Sequence, residues 1–133
     1  MTQEQKDLLL KDLCARLPYK TAVSVCGIPF HWDYKKFIDN QRHFKPYLND
    51  ILRGDVKPYL FPLSSMTEEQ RKEYESLCIK ETSECADLSG FFYTRDYYYD
   101  TVESIDYLCK NHIDIRGLIP MGLALDATGL NIY

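Results

Sequence analysis

Two short histidine–aspartate pairs are the residues of this sequence whose types and spacing could do chemistry. His31 precedes Asp33 by two positions, and His112 precedes Asp114 by two. Residues two apart on a β-strand share a face, so each pair could present an imidazole and a carboxylate to one metal ion. The chain has three histidines and neither an H-x-x-x-H nor a C-x-x-C motif. The metal signal is weak, and we expect no metal and no other cofactor.

Nucleophilic catalysis would need a serine or cysteine beside a base that a third group orients. The sequence holds no G-x-S-x-G elbow and no glycine-rich phosphate loop. His112 is expected near a helix C-terminus, where the helix dipole favours a positive imidazole. We therefore favour a non-enzymatic protein. The alternative is a small hydrolase or nucleotide-processing enzyme that uses His31, Asp33 or His112.

An aromatic run, FFYTRDYYYD at residues 91–100, is the most function-like feature of the chain. Tyrosine and arginine dominate the energetics of protein interfaces, and aromatic rings also stack on bases. We predict that this run binds a protein or a nucleotide-like ligand. The predicted binding residues are Trp32, Tyr34, Tyr93, Arg95, Tyr97, Tyr98 and Tyr99. Two other interpretations are a loop packed over the core and a homo-oligomer whose interface uses the same tyrosines.

Composition restricts the partners and the compartment. The formal net charge is −4 and the pI is near 5.3, which argues against nonspecific binding to nucleic acid. No apolar run approaches the ~18 residues that span a bilayer, and the N-terminus lacks the basic start and apolar core of a signal peptide. Five widely spaced cysteines favour reduced, mostly buried thiols. We expect a cytoplasmic protein with no membrane partner.

Periodicity predicts the elements of the first half of the chain. Thr2 and Gln5 have capping-box spacing, and leucines then recur every three or four residues, which predicts a helix over residues 3–16. Alternation predicts a strand over residues 21–26 that resumes at 30–34. Its best candidate partners are residues 57–60 and 91–99. KPYL occurs twice; the copy at 45–48 should begin a helix and the copy at 57–60 should be extended.

In the second half, Thr67 should cap a helix that continues to a point before Gly90. Asp100 should cap the last helix, which contains Cys109 in its apolar stripe. Residues 91–99 could be a strand or a loop. The apolar C-terminal segment, 116–133, should dock on the core. We predict an α+β fold in which residues 1–133 form a single small domain, with about three helices packed on a small antiparallel sheet.

Three segments resemble short proteins of gut anaerobic bacteria and their phages. The similar segments are LLLKDLCARLPY at residues 8–19, PLSSMTEE at 62–69 and RGLIPMGLAL at 116–125, which cover both ends and the centre of the chain. That group has no established activity, so no residue role is carried over. The resemblance implies a small intracellular protein encoded by a phage or mobile element, of a kind that often binds host machinery.

Overall fold

The computed structural model describes residues 1–25, 27–32, 51 and 53–133. Within these residues the chain is an α+β protein with three α-helices, as the sequence predicts. Its strands form two small, mostly antiparallel sheets, where the sequence predicts one. Backbone contacts divide it into two compact units, residues 1–65 with 109–133, and residues 66–108. The expectation of one domain over residues 1–133 stays a prediction. We describe each unit by itself.

Helix α1, Gln3–Arg16, has the predicted bounds. The Thr2 side chain accepts from the backbone N–H of Gln5, whose own side chain accepts from the Thr2 N–H, so both bonds of the capping box form. A short 3-10 helix, Leu17–Tyr19, follows and contains the proline that ends the apolar period.

The first unit contains a four-stranded sheet. Its strands are β1 Thr21–Val25, β2 Ile28–Trp32, β3 Val56–Leu60 and β6 Leu125–Asp126, in the spatial order β2-β1-β3-β6. The pairs β1–β2 and β1–β3 are antiparallel, and β3–β6 is parallel. The predicted strand at 21–26 is confirmed over its described residues, 21–25, its predicted partner at 57–60 is confirmed, and the second KPYL copy is extended. The first copy lies outside the described residues.

The core of this unit joins helix, sheet and C-terminal segment. Leu9 and Leu13 of α1 pack with Val23 of β1. The same cluster contains Ile51, which precedes β3, together with residues of β3 and of the C-terminal segment, namely Val56, Leu60, Leu118, Leu123 and Ala124. Burying this apolar surface favours docking of the segment and opposes the entropy cost of ordering it. The predicted docking of the C-terminal segment on the core is confirmed.

The second unit contains helix α2, Glu68–Leu77, and a hairpin of β4, Ile79–Ala86, with β5, Phe92–Tyr99. Helix α3, Val102–Lys110, begins in this unit. Thr67 caps α2 through a capping box with Gln70, as predicted. The helix ends before Gly90, as predicted, but the expected extension of the helix into residues 79–86 is wrong. It ends at Leu77, because residues 79–86 form cross-strand backbone bonds with β5 that a continued helix would forgo.

Pairing with β4 also settles the conformation of the aromatic run. Residues 92–99 form a strand, so the loop interpretation is wrong, and so is the expectation that this run joins the sheet of β1. At the next boundary, the predicted Asp100 cap of α3 is corrected to Thr101. The Thr101 hydroxyl accepts from the Ser104 N–H, and the Ser104 hydroxyl accepts from the Thr101 N–H.

The cysteines are free thiols at every described position. Cys109 is buried, Cys78 and Cys85 are half-buried, and Cys14 is exposed. The expectation of mostly buried thiols is therefore wrong for the described residues. Cys14 points outward because α1 turns Asp12 and Arg16 into the protein instead.

No helix in the described parts of the chain combines the length and the apolar character that crossing a membrane requires.

Candidate functional site

A tight loop sets the register of the β4–β5 hairpin. The Asp87 N–H donates to the Phe91 carbonyl at 3.0 Å, and the Gly90 N–H donates back to the Asp87 carbonyl at 3.1 Å. Gly90 has a φ of 83°, a conformation that costs glycine little because it has no Cβ. One Asp87 carboxylate oxygen also accepts from the N–H groups of Ser89 and Phe91 and from the Ser89 hydroxyl. These bonds lower the pKa of the Asp87 carboxyl, the Ser89 hydroxyl most of all.

The register separates the aromatic run into two faces. Residues pair one to one from Ile79 with Tyr99 to Ala86 with Phe92, without a bulge. Because side chains alternate across a strand, Tyr93, Tyr97 and Tyr99 share one face with Arg95. Phe92 and Tyr98 lie on the opposite face. We name the first set, Tyr93, Arg95, Tyr97 and Tyr99, the tyrosine face.

Every residue of β5 is exposed. On the tyrosine face, the exposed fractions are 48% for Tyr93, 37% for Tyr97 and 50% for Tyr99. Large aromatic side chains usually bury most of their surface within the fold, so three neighbouring exposed tyrosines form an unusual patch. The interpretation of the run as a segment packed over the core is wrong.

Charged groups on the tyrosine face orient its rings. The guanidinium carbon of Arg95 lies 5.4 Å from the centroid of the Tyr97 ring, within the range of a cation–π interaction. Across the hairpin, the Glu81 carboxylate raises the pKa of the Tyr99 phenol, chiefly by electrostatic repulsion of the phenolate. Tyr99 therefore keeps its phenolic proton at physiological pH, and its hydrogen bond with the Glu81 carboxylate also raises the pKa.

The opposite face is held by polar contacts. The Thr82 hydroxyl donates to an Asp96 carboxylate oxygen at 2.8 Å, and the Lys80 ammonium lies 3.5 Å from the other. Residues 82 and 96 are directly paired, so these bonds reinforce the same register as the backbone. Removing aromatic side chains from the tyrosine face should leave these contacts in place.

The base of the hairpin is tied to both helices of its unit. The Tyr74 hydroxyl of α2 donates to an Asp100 carboxylate oxygen, which also accepts from the Ser104 hydroxyl. Partial burial, followed by the Asp100 hydrogen bond, raises the pKa of the Tyr74 phenol. The Thr101 hydroxyl donates to the Leu77 carbonyl at 2.7 Å. These bonds connect the residues just before β4 and just after β5 to the helices, so the open end of the hairpin is fixed in position.

The structure brings together five of the seven predicted binding residues on one hairpin, and it assigns Tyr98 to the face opposite the other four. Trp32 belongs to β2 in the first unit, where its backbone pairs with Thr21. Tyr34 lies outside the described residues. The predicted grouping of these two aromatics with the hairpin stays a prediction.

His112 and Asp114 have separate structural surroundings. The His112 ring lies flat against Tyr133, and its Nδ1 is 3.2 Å from the Thr21 hydroxyl. The buried Asp114 carboxylate accepts from the backbone N–H groups of Arg116, Leu118 and Ile119, which turns the chain into the C-terminal segment. His112 has a φ of 60°, outside the strand region, so the predicted same-face pairing of residues 112 and 114 is wrong.

The other members of the predicted enzyme site are His31 and Asp33. His31 lies in β2, and Asp33 is outside the described residues. The enzyme alternative stays a prediction. Among the residues that the structure describes, no group of three or more histidine, cysteine, aspartate or glutamate side chains is placed to hold a metal ion.

Tyr133 is a structural residue that sequence reasoning missed. Its hydroxyl donates to the Tyr59 carbonyl at 2.6 Å and accepts from the Ala22 N–H at 3.0 Å, so it bridges two strands of the first sheet. Burial raises its pKa to about 12, and the Ala22 N–H partly offsets that effect. A tyrosine far from β1 in sequence carries no local signal of this contact.

A buried ion network in the first unit was also missed. Asp12 and Arg16 of α1 are fully buried and bonded at 2.8 Å, and Arg116 bonds the same carboxylate at 2.8 Å. Arg16 also donates to the Ile113 carbonyl. The four-residue spacing of Asp12 and Arg16 was a visible signal, but this spacing usually marks an exposed ion pair.

Comparisons with protein-family models, with curated proteins and with solved structures found no match to this chain.

Proposed function

We propose that this chain is a non-enzymatic intracellular binding protein that engages a partner protein through the tyrosine face of the β4–β5 hairpin. The observation that carries the proposal is the alignment of Tyr93, Tyr97 and Tyr99 on one exposed face with Arg95 among them. Tyrosine and arginine are the residue types that most often supply the binding energy of protein interfaces. Their side chains here are presented by a fixed register.

Electrostatics favour a protein over a nucleotide-like ligand. Residues 66–108 contain eleven acidic and four basic side chains, a formal charge of −7. Such a charge repels phosphate groups and attracts a basic surface, and it speeds encounter with a positively charged protein. We therefore propose a partner with a basic rim around an apolar patch. A nucleotide-like ligand is the weaker candidate.

The stability of the hairpin also supports a binding role. A two-stranded hairpin is marginally stable in water unless another surface covers it. Here the base contacts of Tyr74 and Thr101 hold the strands, while β5 leaves its aromatic side chains exposed. Partner binding would bury those side chains and recover their transfer free energy.

The proposed cellular setting rests on the sequence. Free thiols at all four described cysteines are compatible with a reducing compartment. The resemblance to short bacterial and phage proteins supports a role in the cytoplasm, where a phage-encoded or mobile-element-encoded binder would meet its host target. The partner would then be a host protein.

A face-selective binding experiment tests the proposal. The triple variant Tyr93→Ala/Tyr97→Ala/Tyr99→Ala removes the rings of the tyrosine face, and Phe92→Ala/Tyr98→Ala removes rings from the opposite face. Each protein is used to capture host proteins, and a captured protein is then purified and titrated by calorimetry. We expect the triple variant to weaken binding by at least about 100-fold, because hot-spot truncations cost roughly 1–2 kcal/mol or more each.

The matched double variant should retain binding within about tenfold, since its rings face away from the proposed interface. Circular dichroism of both variants confirms that each one folds. Equal losses in the two variants, or full binding by the triple variant, would contradict the proposal. Titration with ATP serves as the probe of the nucleotide alternative, and saturable ATP binding that the triple variant loses would favour that alternative instead.

A further inference from the structure

We infer that the outer edge of β4 pairs with the same edge of a second copy of this chain, which joins two hairpins into one four-stranded antiparallel sheet. This inference concerns the strand edge, and it does not depend on the proposed function of the tyrosine face. Within the described residues, β4 pairs with β5 alone, so its other edge has backbone groups without a strand partner. Such an edge is a template for adding a strand.

The hairpin register identifies which backbone groups face outward. Asp87 and Phe91 are joined by a backbone bond, and the pairing continues from them without a bulge. Hydrogen-bonded pairs recur at every second position of an antiparallel ladder, so residues 85, 83, 81 and 79 bond to β5. The N–H and C=O groups of Lys80, Thr82 and Glu84 therefore point away from β5.

A two-fold axis through Thr82 makes this edge complementary to itself. Antiparallel pairing about that axis places Thr82 opposite Thr82 of the second copy. It also places Lys80 opposite Glu84, and because the axis is two-fold, this pair of opposite charges occurs twice. Lys80, Thr82 and Glu84 are then each opposite an outward-facing residue, so the edges can exchange backbone hydrogen bonds. On the other face, the axis places Ile79 opposite Cys85 and Glu81 opposite Ser83.

Other two-fold registers of β4 are poorer. An axis through Lys80, Glu81 or Glu84 places each of these charged residues opposite its own copy, and like charges directly opposite are destabilising. An axis through Ser83 places Lys80 opposite Ala86 and leaves its charge without a cross-strand partner. The charge pattern thus selects the Thr82 register.

The edge of β5 lacks an equivalent charge pattern. Two-fold antiparallel pairing places residues of the same face opposite each other, and Arg95 and Asp96 are on opposite faces. The opposite charges of β5 therefore cannot pair across such an axis. An axis through either residue would place like charges together. The second copy is accordingly expected on β4, which leaves the tyrosine faces of both copies open.

Charge reversal tests this interface with the complete chain. Sedimentation should show wild-type protein approaching twice the monomer mass of 15.6 kDa as its concentration rises. Lys80→Glu and Glu84→Lys should each weaken self-association about tenfold or more, because two attractive pairs become repulsive. A mixture of the two variants should associate again, since the carboxylate introduced at position 80 of one then meets the ammonium introduced at position 84 of the other. Lys72→Glu on α2 is the control with the same charge change as Lys80→Glu, and it should behave as wild type.

A cysteine crosslink tests the register independently of stability. Thr82→Cys places two thiols at the axis with Cα atoms about 5.5 Å apart, within the range of a disulfide. Glu84→Cys is the control, because its two copies would be about 13 Å apart along the strands. Oxidation should crosslink the first variant and leave the second at the wild-type background. A wild-type monomer at all concentrations, no association in the mixture, or equal crosslinking of both cysteine variants would overturn the inference.

Discussion

The rings of His112 and Tyr133 stack with their centroids 3.7 Å apart and their planes 9° from parallel. The Tyr133 hydroxyl also donates a hydrogen bond to the Tyr59 carbonyl and accepts one from the Ala22 N–H. One tyrosine thus ties the C-terminal segment to β1, to β3 and to His112, two residues after the end of α3. His112 is a structural residue in this arrangement.

Replacing Tyr133 by phenylalanine should keep the ring stack and remove both hydroxyl hydrogen bonds. We expect the free energy of unfolding to fall by about 1–3 kcal/mol, because the hydroxyl's loss leaves two strand groups without their partner. Urea unfolding followed by circular dichroism measures this change. Tyr59→Phe is the control, since Tyr59 accepts the Tyr133 hydrogen bond with its backbone carbonyl, which the substitution keeps. A larger loss of unfolding free energy in Tyr59→Phe than in Tyr133→Phe would contradict the role given to the Tyr133 hydroxyl.

The same hydroxyl should affect stability at alkaline pH. The pKa of Tyr133 is raised from 10.0 in the unfolded chain to about 12, so the folded protein holds this proton more tightly. The stabilising contribution is complete below pH 10 and is lost as pH rises towards 12. We expect Tyr133→Phe to flatten the decline of stability across this interval. The raised pKa of Tyr74 should leave part of the decline in place.

Asp12→Asn tests the buried ion network of α1. The substitution removes the negative charge that Arg16 and Arg116 share, and it leaves the Arg16 guanidinium buried without its counterion. We expect a loss of about 3–5 kcal/mol in the free energy of unfolding. The control is Asp7→Asn on the same helix, whose exposed side chain accepts from Gln3, and it should cost less than about 0.5 kcal/mol. Similar losses of unfolding free energy in the two variants would show that the buried ion network does not stabilise the fold.

Asp87→Ala should loosen the hairpin while the first unit stays folded. It removes three hydrogen bonds to one carboxylate oxygen, which hold the loop that connects β4 to β5. Amide hydrogen exchange should become faster in residues 79–99 and stay unchanged in α1. The lowered pKa of Asp87 means that its contribution is present above the ordinary value of 3.8 and is lost as pH falls below it. Acid should therefore lower the protection factors of the wild-type hairpin amides, which compare each measured exchange rate with its intrinsic rate at that pH, and it should change those of the variant less.

Some elements were predictable because their causes lie within a few residues. The capping boxes at Thr2 and Thr67 need only a hydroxyl and a glutamine three positions later, and both form as predicted. The strand at 21–25 shows the short period and β-branched residues typical of sheet, whereas its partner at 56–60 is poorly patterned and was predicted only as a candidate partner. The aromatic run could also be identified as a candidate site from the sequence, because that choice depends only on residue types.

Residues 79–86 show why other elements were not predictable. Their charged side chains and spaced apolar residues are compatible with a helix, and their strand conformation depends on pairing with β5. That pairing also decides which aromatic side chains share a face. The conformation of residues 79–86 and the faces of the aromatic side chains therefore depend on the pairing of β4 with β5, which local propensity does not reveal.

By itself, the sequence determined the α+β class, the starts of α1 and α2, the first sheet's central pairing and the concentration of tyrosine near residues 93–99, since propensity and spacing act locally. The tertiary structure alone decided that α2 stops at Leu77, that Tyr98 lies opposite the tyrosine face, and that Asp12 joins Arg116 across the fold. The physical reason is that strand pairing and ion-pair burial depend on partners brought together by folding.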